Sequence, residues 1–275
     1  MNPAEALALF DAQLRRDAPP ETPGTRVDRG AGVVRQVGAG VHEWCGILWS
    51  DLDADTADAA VEAQLRWLRT PEAAGREFEW KTYSHDRPAD LGDRLRAAGF
   101  TPEPPETLMV AEVDEVTALT RDAALPDGVR LEPVKDAAGV DMAAAVHEQA
   151  FGADAQRLRA RMLDQITRSP DTVTIVLAMA GELPVCAARM ELVPGTDFAG
   201  LWGGGTVEQW RGRGIYRALI AHRARIAAAH GYRYLQVDAS EDSRPILARL
   251  GFTALSVTTP YLITAPDPEA QEEGR

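Results

Sequence analysis

The stretch QWRGRGIYRALI, which starts at Gln209, places two glycines and three arginines where a loop leads into a helix. A glycine-rich turn before a helix presents several backbone N–H groups in one direction, with the positive end of the helix dipole behind them. Glycine lets an anion approach the backbone closely, and Arg211 and Arg213 would add positive charge. These residues predict an anion site of the size of a pyrophosphate, and the alternative is a basic turn before an exposed helix.

Two known phosphate-binding motifs do not account for this loop. A P-loop ends in Gly-Lys-Ser or Gly-Lys-Thr, and the chain contains neither sequence. A dinucleotide-binding fingerprint needs Gly or Ala three residues after the second of its paired glycines, and that position holds Arg217. Neither motif therefore predicts that this loop binds a nucleotide.

The elements around the loop predict the sheet that must position it. Short turns separate three strands, TVTIVLAMA, PVCAARMELV and FAGLWGGGTV, and such short connections make neighbouring strands antiparallel. The loop leads into an amphipathic helix, and the strand YLQVDA is predicted to lie parallel to the third strand because a crossover joins them. A short helix and a final strand pair, around TALSV and PYLIT, follow. The predicted fold class is α/β (α+β), with a mixed, mostly antiparallel central sheet and flanking helices.

The first half of the chain repeats part of this pattern. Residues 99–101 and 251–253 both read Gly-Phe-Thr after a strand and a helix, which predicts two tandem copies of one fold. Where the second copy has its loop, the first has only SDLDADTAD, without a glycine pair or an arginine. We expect a degenerate domain without a cofactor loop over residues 1–121, a ligand-binding domain over 122–265 and a disordered acidic tail over 266–275.

Composition and charge narrow the classes of function. The 275 residues carry a formal net charge of −13, which argues against nucleic acid as a partner and suits a cationic or neutral substrate. No apolar run is long enough to span a membrane and the N-terminus does not resemble a signal peptide, so we expect a cytoplasmic protein that does not bind membranes. Cys45 and Cys186 are predicted to be buried free thiols, and no paired Cys or His spacing predicts a metal site.

The loop in its context resembles a known family. Residues 209–214 read Q-x-x-G-x-G, which is similar to the acyl-CoA pyrophosphate loop of the GNAT acetyltransferases. A strand that ends in glycines precedes the loop, and a helix, a strand, a short helix and Leu-Gly-Phe follow at the family's distance. The resemblance covers roughly residues 128–264, and the first half looks like the degenerate copy of a tandem member.

The resemblance implies a set of contacts to acetyl-CoA. Backbone groups of Thr206 and Val207 would pair with the pantetheine arm, and the amides of residues 211–215 would hold the pyrophosphate. Ser240 stands where the family often has an asparagine that faces the pantetheine, although it could equally cap a helix that begins near Ser243. The implied cofactor-binding residues are Thr206, Val207, Gln209, Arg211, Gly212, Arg213, Gly214, Ile215 and Ser240.

The chemistry implied is direct acyl transfer, so Cys186 need not act as a nucleophile. A base would remove the proton of the attacking amine, and Glu191 and Asp238 are the candidates, with Asp197 next to a turn as a weaker one. The family's frequent acid, a tyrosine, is replaced here by Leu247. Tyr216 lies nearby in sequence, where it could pack on the sheet or cover the cofactor.

The leading hypothesis is therefore an acetyl-CoA-dependent N-acyltransferase (EC 2.3.1 class) that acetylates an amine of a small molecule or a peptide, without a metal. A non-catalytic acyl-CoA-binding regulatory module is the alternative, and a nucleotide-binding protein is a third. Acceptor specificity is expected within residues 139–171, and the protein is expected to be a monomer or a homodimer.

Overall fold

The computed structural model describes residues 1–152 and 154–266. The first half of the chain contains α1 (Pro3–Phe10), a π-helical turn (Asp11–Arg16), β1 (Arg26–Gly30), β2 (Val33–Val37), β3 (Cys45–Ser50), α2 (Ala57–Trp67), a 3-10 turn (Pro71–Ala73), β4 (Glu77–Tyr83), α3 (Leu91–Ala97), β5 (Thr101–Pro102), β6 (Glu106–Glu112) and α4 (Val113–Leu119). The second half contains β7 (Val129–Pro133), α5 (Ala137–Phe151), α6 (Gln156–Arg168), β8 (Val173–Ala180), β9 (Leu183–Leu192), β10 (Phe198–Thr206), a 3-10 turn (Glu208–Trp210), α7 (Ile215–Ala229), β11 (Tyr234–Ala239), α8 (Arg244–Ala248) and β12 (Thr253–Thr264).

These elements form two compact units. The C-terminal unit comprises residues 1–6 and 107–255, and the N-terminal unit comprises residues 7–106 together with the chain from residue 256. The division differs from the predicted boundary at residue 121, because residues 107–112 of β6 pair with β11 and the second part of β12 pairs with β4. Each unit thus takes one strand from the other half of the sequence. The predicted acidic tail lies outside the described residues, apart from Pro266.

The sheet of the C-terminal unit has the strand order β7-β8-β9-β10-β11-β6. All neighbours are antiparallel except β10 and β11, which are parallel because α7 crosses between them. One apolar core contains side chains of α5, α6 and the first turns of α7, and a second lies beneath α7 and α8. The predicted mixed, mostly antiparallel sheet with flanking helices is therefore confirmed.

The sheet of the N-terminal unit repeats this arrangement on a smaller scale. Its order is β1-β2-β3-β4-β12, and β3 and β4 are its parallel pair, as β10 and β11 are in the other unit. The predicted duplication is confirmed. The predicted final strand pair is wrong, because Thr253–Thr264 form one continuous strand. The sequence between its two apolar parts contains Thr258, Thr259 and Pro260, and a residue before proline favours the extended backbone rather than a tight turn.

Candidate active site

In the C-terminal unit, strands β10 and β11 separate soon after they begin. Their parallel pairing covers three residue pairs and stops at Gly200 and Gln236, whereas β10 runs on to Thr206. β10 stays paired with β9 beyond this point, with an extra residue between Trp202 and Gly205. Such a bulge bends a strand locally, and here it accompanies the departure of β10 from β11. A gap therefore opens between the two strands, and backbone groups of β10 face it.

The end of β10 has glycines because helices pack closely against both faces of the strand. Gly203 has a φ of +56°, in the left-handed region that favours glycine. A Cβ atom on Gly204 would lie 2.8 Å from Cε2 of Tyr216 in α7, and one on Gly205 would lie 2.7 Å from Cε2 of Phe151 in α5. Helices therefore cover both faces of the strand so closely that neither glycine could carry a side chain without a shift.

The loop between β10 and α7 presents a row of backbone amides. Gly212 and Gly214 have φ values of +73° and +82°, which only glycine adopts without strain. Among the residues that the structure describes, the amides of residues 212–217 have no hydrogen-bond acceptor. They lie at the N-terminus of α7, a helix of 15 residues whose dipole adds positive potential. These are the features that bind a phosphate anion.

The arginines of the loop support its shape. Nε of Arg211 donates to the carbonyl of Thr206 at 3.1 Å, and its Nη2 donates to a carbonyl in α5 at 3.0 Å. The guanidinium of Arg213 lies 4.6 Å from the centre of the Trp210 ring and donates to the carbonyl of Gln209 at 3.1 Å. Both arginines are exposed, so their charge stays beside the amides while their hydrogen bonds fix the loop.

The backbone groups of Thr206 and Val207, which are predicted to contact a pantetheine arm, point in opposite directions. The amide of Val207 donates to the carbonyl of Val185 in β9 at 3.0 Å, and the carbonyl of Val207 accepts from the Trp210 amide at 2.9 Å. Because backbone groups alternate in direction along a strand, the amide of Thr206 points to the other side, toward the gap. Both backbone groups of Val207 therefore have a partner within the protein, whereas the amide of Thr206 is directed toward the gap.

Ser240 caps the start of α8, which is one of the two roles that the sequence predicted for it. Its Oγ accepts from the amide of Ser243 at 3.3 Å, and its carbonyl accepts from the amide of Arg244 at 2.9 Å. These bonds hold the turn that begins α8. Since Ser240 directly follows β11, the turn lies at the carboxyl end of the strand on the far side of the gap.

Glu191 lies in β9 on the sheet face that α6 covers, and several donors hold its carboxylate. Nε2 of Gln165 donates to it at 2.9 Å, and nitrogens of Arg189 and Arg161 lie at 3.4 and 3.9 Å. Burial raises the pKa of Glu191, but the two arginines and hydrogen bonds from Gln165 and Trp202 outweigh this effect and hold the pKa below its usual range. The carboxylate is therefore ionised at neutral pH and weakly basic.

Asp238 lies on the same face of the sheet, across the gap. Side chains alternate along β11, and its neighbour Val237 packs in the core beneath α7, so Asp238 points to the opposite face. Nε2 of Gln236 donates to its Oδ1 at 3.4 Å. Asp197 precedes β10 at the end of the strand away from the loop. The structure thus brings Glu191 and Asp238 to one face and leaves Asp197 outside the gap.

Two other residues offer little chemistry of their own. Cys186 lies 3.0 Å from Oγ1 of Thr206, and burial raises the pKa of its thiol to about 11, so it is not a thiolate nucleophile at neutral pH. Leu247, at the position of the family's tyrosine, is fully buried in the core beneath α7.

Across residues 1–152 and 154–266, no helix is long and apolar enough to cross a membrane, and no cluster of metal-binding side chains is found.

An arginine fills the corresponding gap in the N-terminal unit. β3 and β4 keep two parallel pairs, which end at Ile47 and Trp80. Nε of Arg15 donates to the carbonyl of Leu48, the next residue of β3, at 3.0 Å. Its Nη2 donates to both carboxylate oxygens of Asp86, which follows β4, at 2.8 and 2.7 Å. Arg15 therefore bridges the two strands where the C-terminal unit is open, an arrangement that no local sequence signal predicted.

Comparison with known proteins identifies the fold. No family model and no curated relative matches the sequence. Among solved structures, the chain is similar to a GCN5-related N-acetyltransferase from Kribbella flavida, with 17% identity and a TM-score of 0.63 over 90% of each chain. It is similar to a tandem GNAT protein from the clavulanic acid biosynthesis pathway, with 17% identity and a TM-score of 0.57 over 95% of this chain and 93% of that one. A GCN5-related N-acetyltransferase from Sphaerobacter thermophilus matches with 13% identity and a TM-score of 0.53, over 96% and 86% of the two chains. The likeness shows a tandem GNAT fold, as the sequence predicted.

Proposed function

Because the chain has a tandem GNAT fold, we propose that it is an acetyl-CoA-dependent N-acetyltransferase whose active site is the gap between β10 and β11. The observation that carries the proposal is the row of amides over residues 212–217, which have no acceptor in the described part of the chain and lie beside an open strand. These amides would hold the pyrophosphate of acetyl-CoA. The Thr206 amide would bind the pantetheine arm as it would bind an added strand.

The proposed reaction is direct aminolysis of the thioester. The neutral amine nitrogen attacks the carbonyl carbon, and backbone N–H groups that β10 presents at the gap stabilise the oxyanion. The C–S bond then breaks, its electron pair goes to sulfur, and the amine nitrogen loses a proton. No group of the enzyme becomes acylated, which agrees with the raised pKa of the Cys186 thiol.

The two carboxylates on the open face have different roles in this proposal. Asp238 accepts the amine proton through a water molecule, because it faces the gap from β11 on the side opposite α7. Glu191 is a positioning residue, since its carboxylate orders Gln165, Arg189 and Arg161 beside the acceptor side of the gap.

Replacing Asp238 with Asn is expected to lower kcat about 100-fold at neutral pH, the lower end of what a general base contributes, because an amide cannot take up the proton. The Kd for acetyl-CoA should stay unchanged, since Asp238 lies away from the loop. Steady-state kinetics and calorimetric titration measure the two quantities. Asp197→Asn is the matched control and should retain the wild-type kcat. Equal kcat values for Asp238→Asn and the wild type would remove Asp238 from the mechanism.

The proposed acceptor is an amine of a small molecule or a peptide. The net charge of −13 favours a cationic substrate by long-range attraction. The residues that select the acceptor are expected within residues 139–171, because α6 contributes the Gln165 and Arg161 side chains that surround Glu191. The protein would act as a monomer or a homodimer.

Ligand-induced stabilisation and thiol release test the proposed function. Acetyl-CoA at 100 times its Kd should raise the free energy of unfolding by about 2.7 kcal/mol, and with it the Tm. Free thiol released from acetyl-CoA across a panel of primary amines then measures transfer. Stabilisation by ATP or ADP but not by acetyl-CoA would contradict the proposal and indicate a nucleotide site.

A non-catalytic acyl-CoA-binding regulatory module is the second candidate. It is favoured by the buried Leu247 at the position of the family's acid and by the Glu191 carboxylate that is engaged with two arginines. This alternative predicts tight binding of acetyl-CoA together with no amine-dependent thiol release. The amine panel therefore distinguishes the two candidates.

A further inference from the structure

Aminolysis of a thioester leaves a thiolate, and the site must stabilise or protonate it. Leu247 cannot donate a proton, yet a tyrosine of another element packs against the same apolar core. Tyr216, in the first turn of α7, lies against Gly204 of β10, and it also packs against the core cluster that contains Val237 of β11 and Leu247 of α8. Its ring therefore lies on the α7 side of β10, beside the part of the strand that has separated from β11.

The Tyr216 hydroxyl has no hydrogen-bond partner among residues 1–152 and 154–266, although the residue is half-buried. A tyrosine hydroxyl in a packed site normally finds a partner. Burial raises the pKa of Tyr216, while Arg223 acts in the opposite direction, so the phenol keeps its proton throughout the neutral range. The side chain thus offers an unused donor on the face of β10 that α7 covers.

A buried cation lies beside this donor. Arg223 is 1% exposed, and it donates Nε to the carbonyl of Leu219 at 3.3 Å and Nη1 to the carbonyl of Arg189 at 3.0 Å. No carboxylate of the described chain lies within ion-pair distance of it, whereas buried arginines are normally paired. A Cβ atom on Gly204 would lie 3.6 Å from its Nη2. Its positive charge therefore lies at the bulge of β10 without a protein anion to balance it.

The side chains that could take part in the reaction lie on two opposite faces of the sheet. Asp238 and Glu191 lie on the face beneath α5 and α6, and Tyr216 and Arg223 lie on the face beneath α7. A thioester between β10 and β11 would have the attacking amine on the first face and its sulfur accessible from the second. We propose that Tyr216 donates its phenolic proton to the departing thiolate of CoA and that Arg223 stabilises the negative charge during the step.

Proton transfer from Tyr216 accompanies cleavage of the thioester C–S bond. The C–S electron pair becomes a lone pair on sulfur, the O–H bond of Tyr216 breaks, and an S–H bond forms. The resulting tyrosinate is held by the charge of Arg223 and is reprotonated by water, while Asp238 returns to water the proton that it accepted from the amine. This inference rests on the proposed acyl transfer and identifies the acid of that same site.

The test compares Tyr216→Phe with Tyr232→Phe, a control tyrosine that follows α7 and whose pKa burial also raises. Tyr216→Phe should lower kcat about 100-fold and leave the Kd for acetyl-CoA unchanged, because only the hydroxyl is lost. Tyr232→Phe should behave as the wild type. A second readout does not need turnover: the thiolate of bound CoA absorbs at short ultraviolet wavelength, and its titration gives the thiol pKa. Tyr216→Phe should raise that pKa by about one unit, or tenfold in the thiolate fraction.

Failure of the role of Tyr216 can be distinguished from failure of the proposed acyl transfer. If the wild type releases thiol with an amine but Tyr216→Phe keeps both its kcat and the pKa of the bound CoA thiol, Tyr216 is not the acid and the acyl transfer stands. If no amine stimulates thiol release although acetyl-CoA binds, the proposed function fails, and the role of Tyr216 in it fails as well.

Discussion

Gly212→Glu is expected to lower the affinity for acetyl-CoA about 10³-fold. A carboxylate about 4 Å from a phosphate charge at the protein surface costs about 4 kcal/mol, which is close to three powers of ten in Kd. The space beside Gly212 is open, with no atom within 4 Å of an added Cβ, so the side chain enters solvent where the ligand would lie. Calorimetric titration with acetyl-CoA measures the change.

The backbone cost of this substitution has a matched control. Gly231 at the end of α7 has a φ of +78°, close to the +73° of Gly212, and an added Cβ there also meets nothing within 4 Å. Gly231→Glu therefore carries the same left-handed strain of about 1–2 kcal/mol but lies at the other end of the helix. It should lose stability as Gly212→Glu does and keep wild-type affinity. Equal affinities in both variants would remove the loop from the binding site.

Arg15→Met is expected to lower the free energy of unfolding by about 3–5 kcal/mol, because it leaves the Asp86 carboxylate buried without its partner. The Asp86 side chain is 4% exposed, and both of its oxygens accept from Arg15. The guanidinium also donates to Asp11 at 2.7 Å and lies 4.0 Å from the centre of the Tyr83 ring. Methionine keeps much of the apolar volume, so urea denaturation reports mainly the loss of the charge.

The pH dependence of this loss has a definite sign. Burial raises the pKa of Asp86 even beside Arg15, and removal of Arg15 should raise it further. A carboxyl group whose folded-state pKa is raised contributes stability that is present at low pH and lost as the pH rises through that pKa. The deficit of Arg15→Met should therefore be larger at about pH 8 than at about pH 5.

Arg26→Met is the surface counterpart of this variant. Arg26 also contacts two carboxylates, those of Asp28 and Glu72, but its side chain is 49% exposed. Surface ion pairs contribute at most about 1 kcal/mol, so this variant should be nearly as stable as the wild type. A loss of the same size in both variants would contradict the claim that burial makes the Arg15–Asp86 pair more important for stability than a surface ion pair.

The parts of the site that the sequence predicted are local along the chain. The loop, the strand before it and the helix after it lie within about 30 consecutive residues, and their glycines and apolar spacing identify each element. The order of strands followed because short turns force antiparallel neighbours and one crossover forces a parallel pair. Glu191 and Asp238 could be named as candidates because both lie in strands near the loop, but the face that they share appears only in the structure.

The parts that the sequence did not predict depend on contacts between distant residues. β6 pairs with β11, and β12 pairs with β4, although their apolar patterns would suit either sheet. Arg15 and Asp86 are 71 positions apart, and an arginine in an amphipathic N-terminal segment gives no sign that it will be buried. Val207 was assigned to the ligand by the resemblance to the family, and the 3-10 turn that engages its carbonyl has no sequence signature of its own. The roles of Tyr216 and Arg223 depend on their packing against Gly204, which appears only in three dimensions.

The stoichiometry of acetyl-CoA binding tests the central claim most directly, because within the described residues only the C-terminal unit combines an open gap with a glycine loop. Calorimetric titration of acetyl-CoA into the full chain should give one site per chain, with affinity lost in Gly212→Glu and retained in Gly231→Glu. Two sites per chain would show that Arg15 does not close the N-terminal gap. The absence of binding would contradict the assignment of the loop, and with it the proposed acetyltransferase.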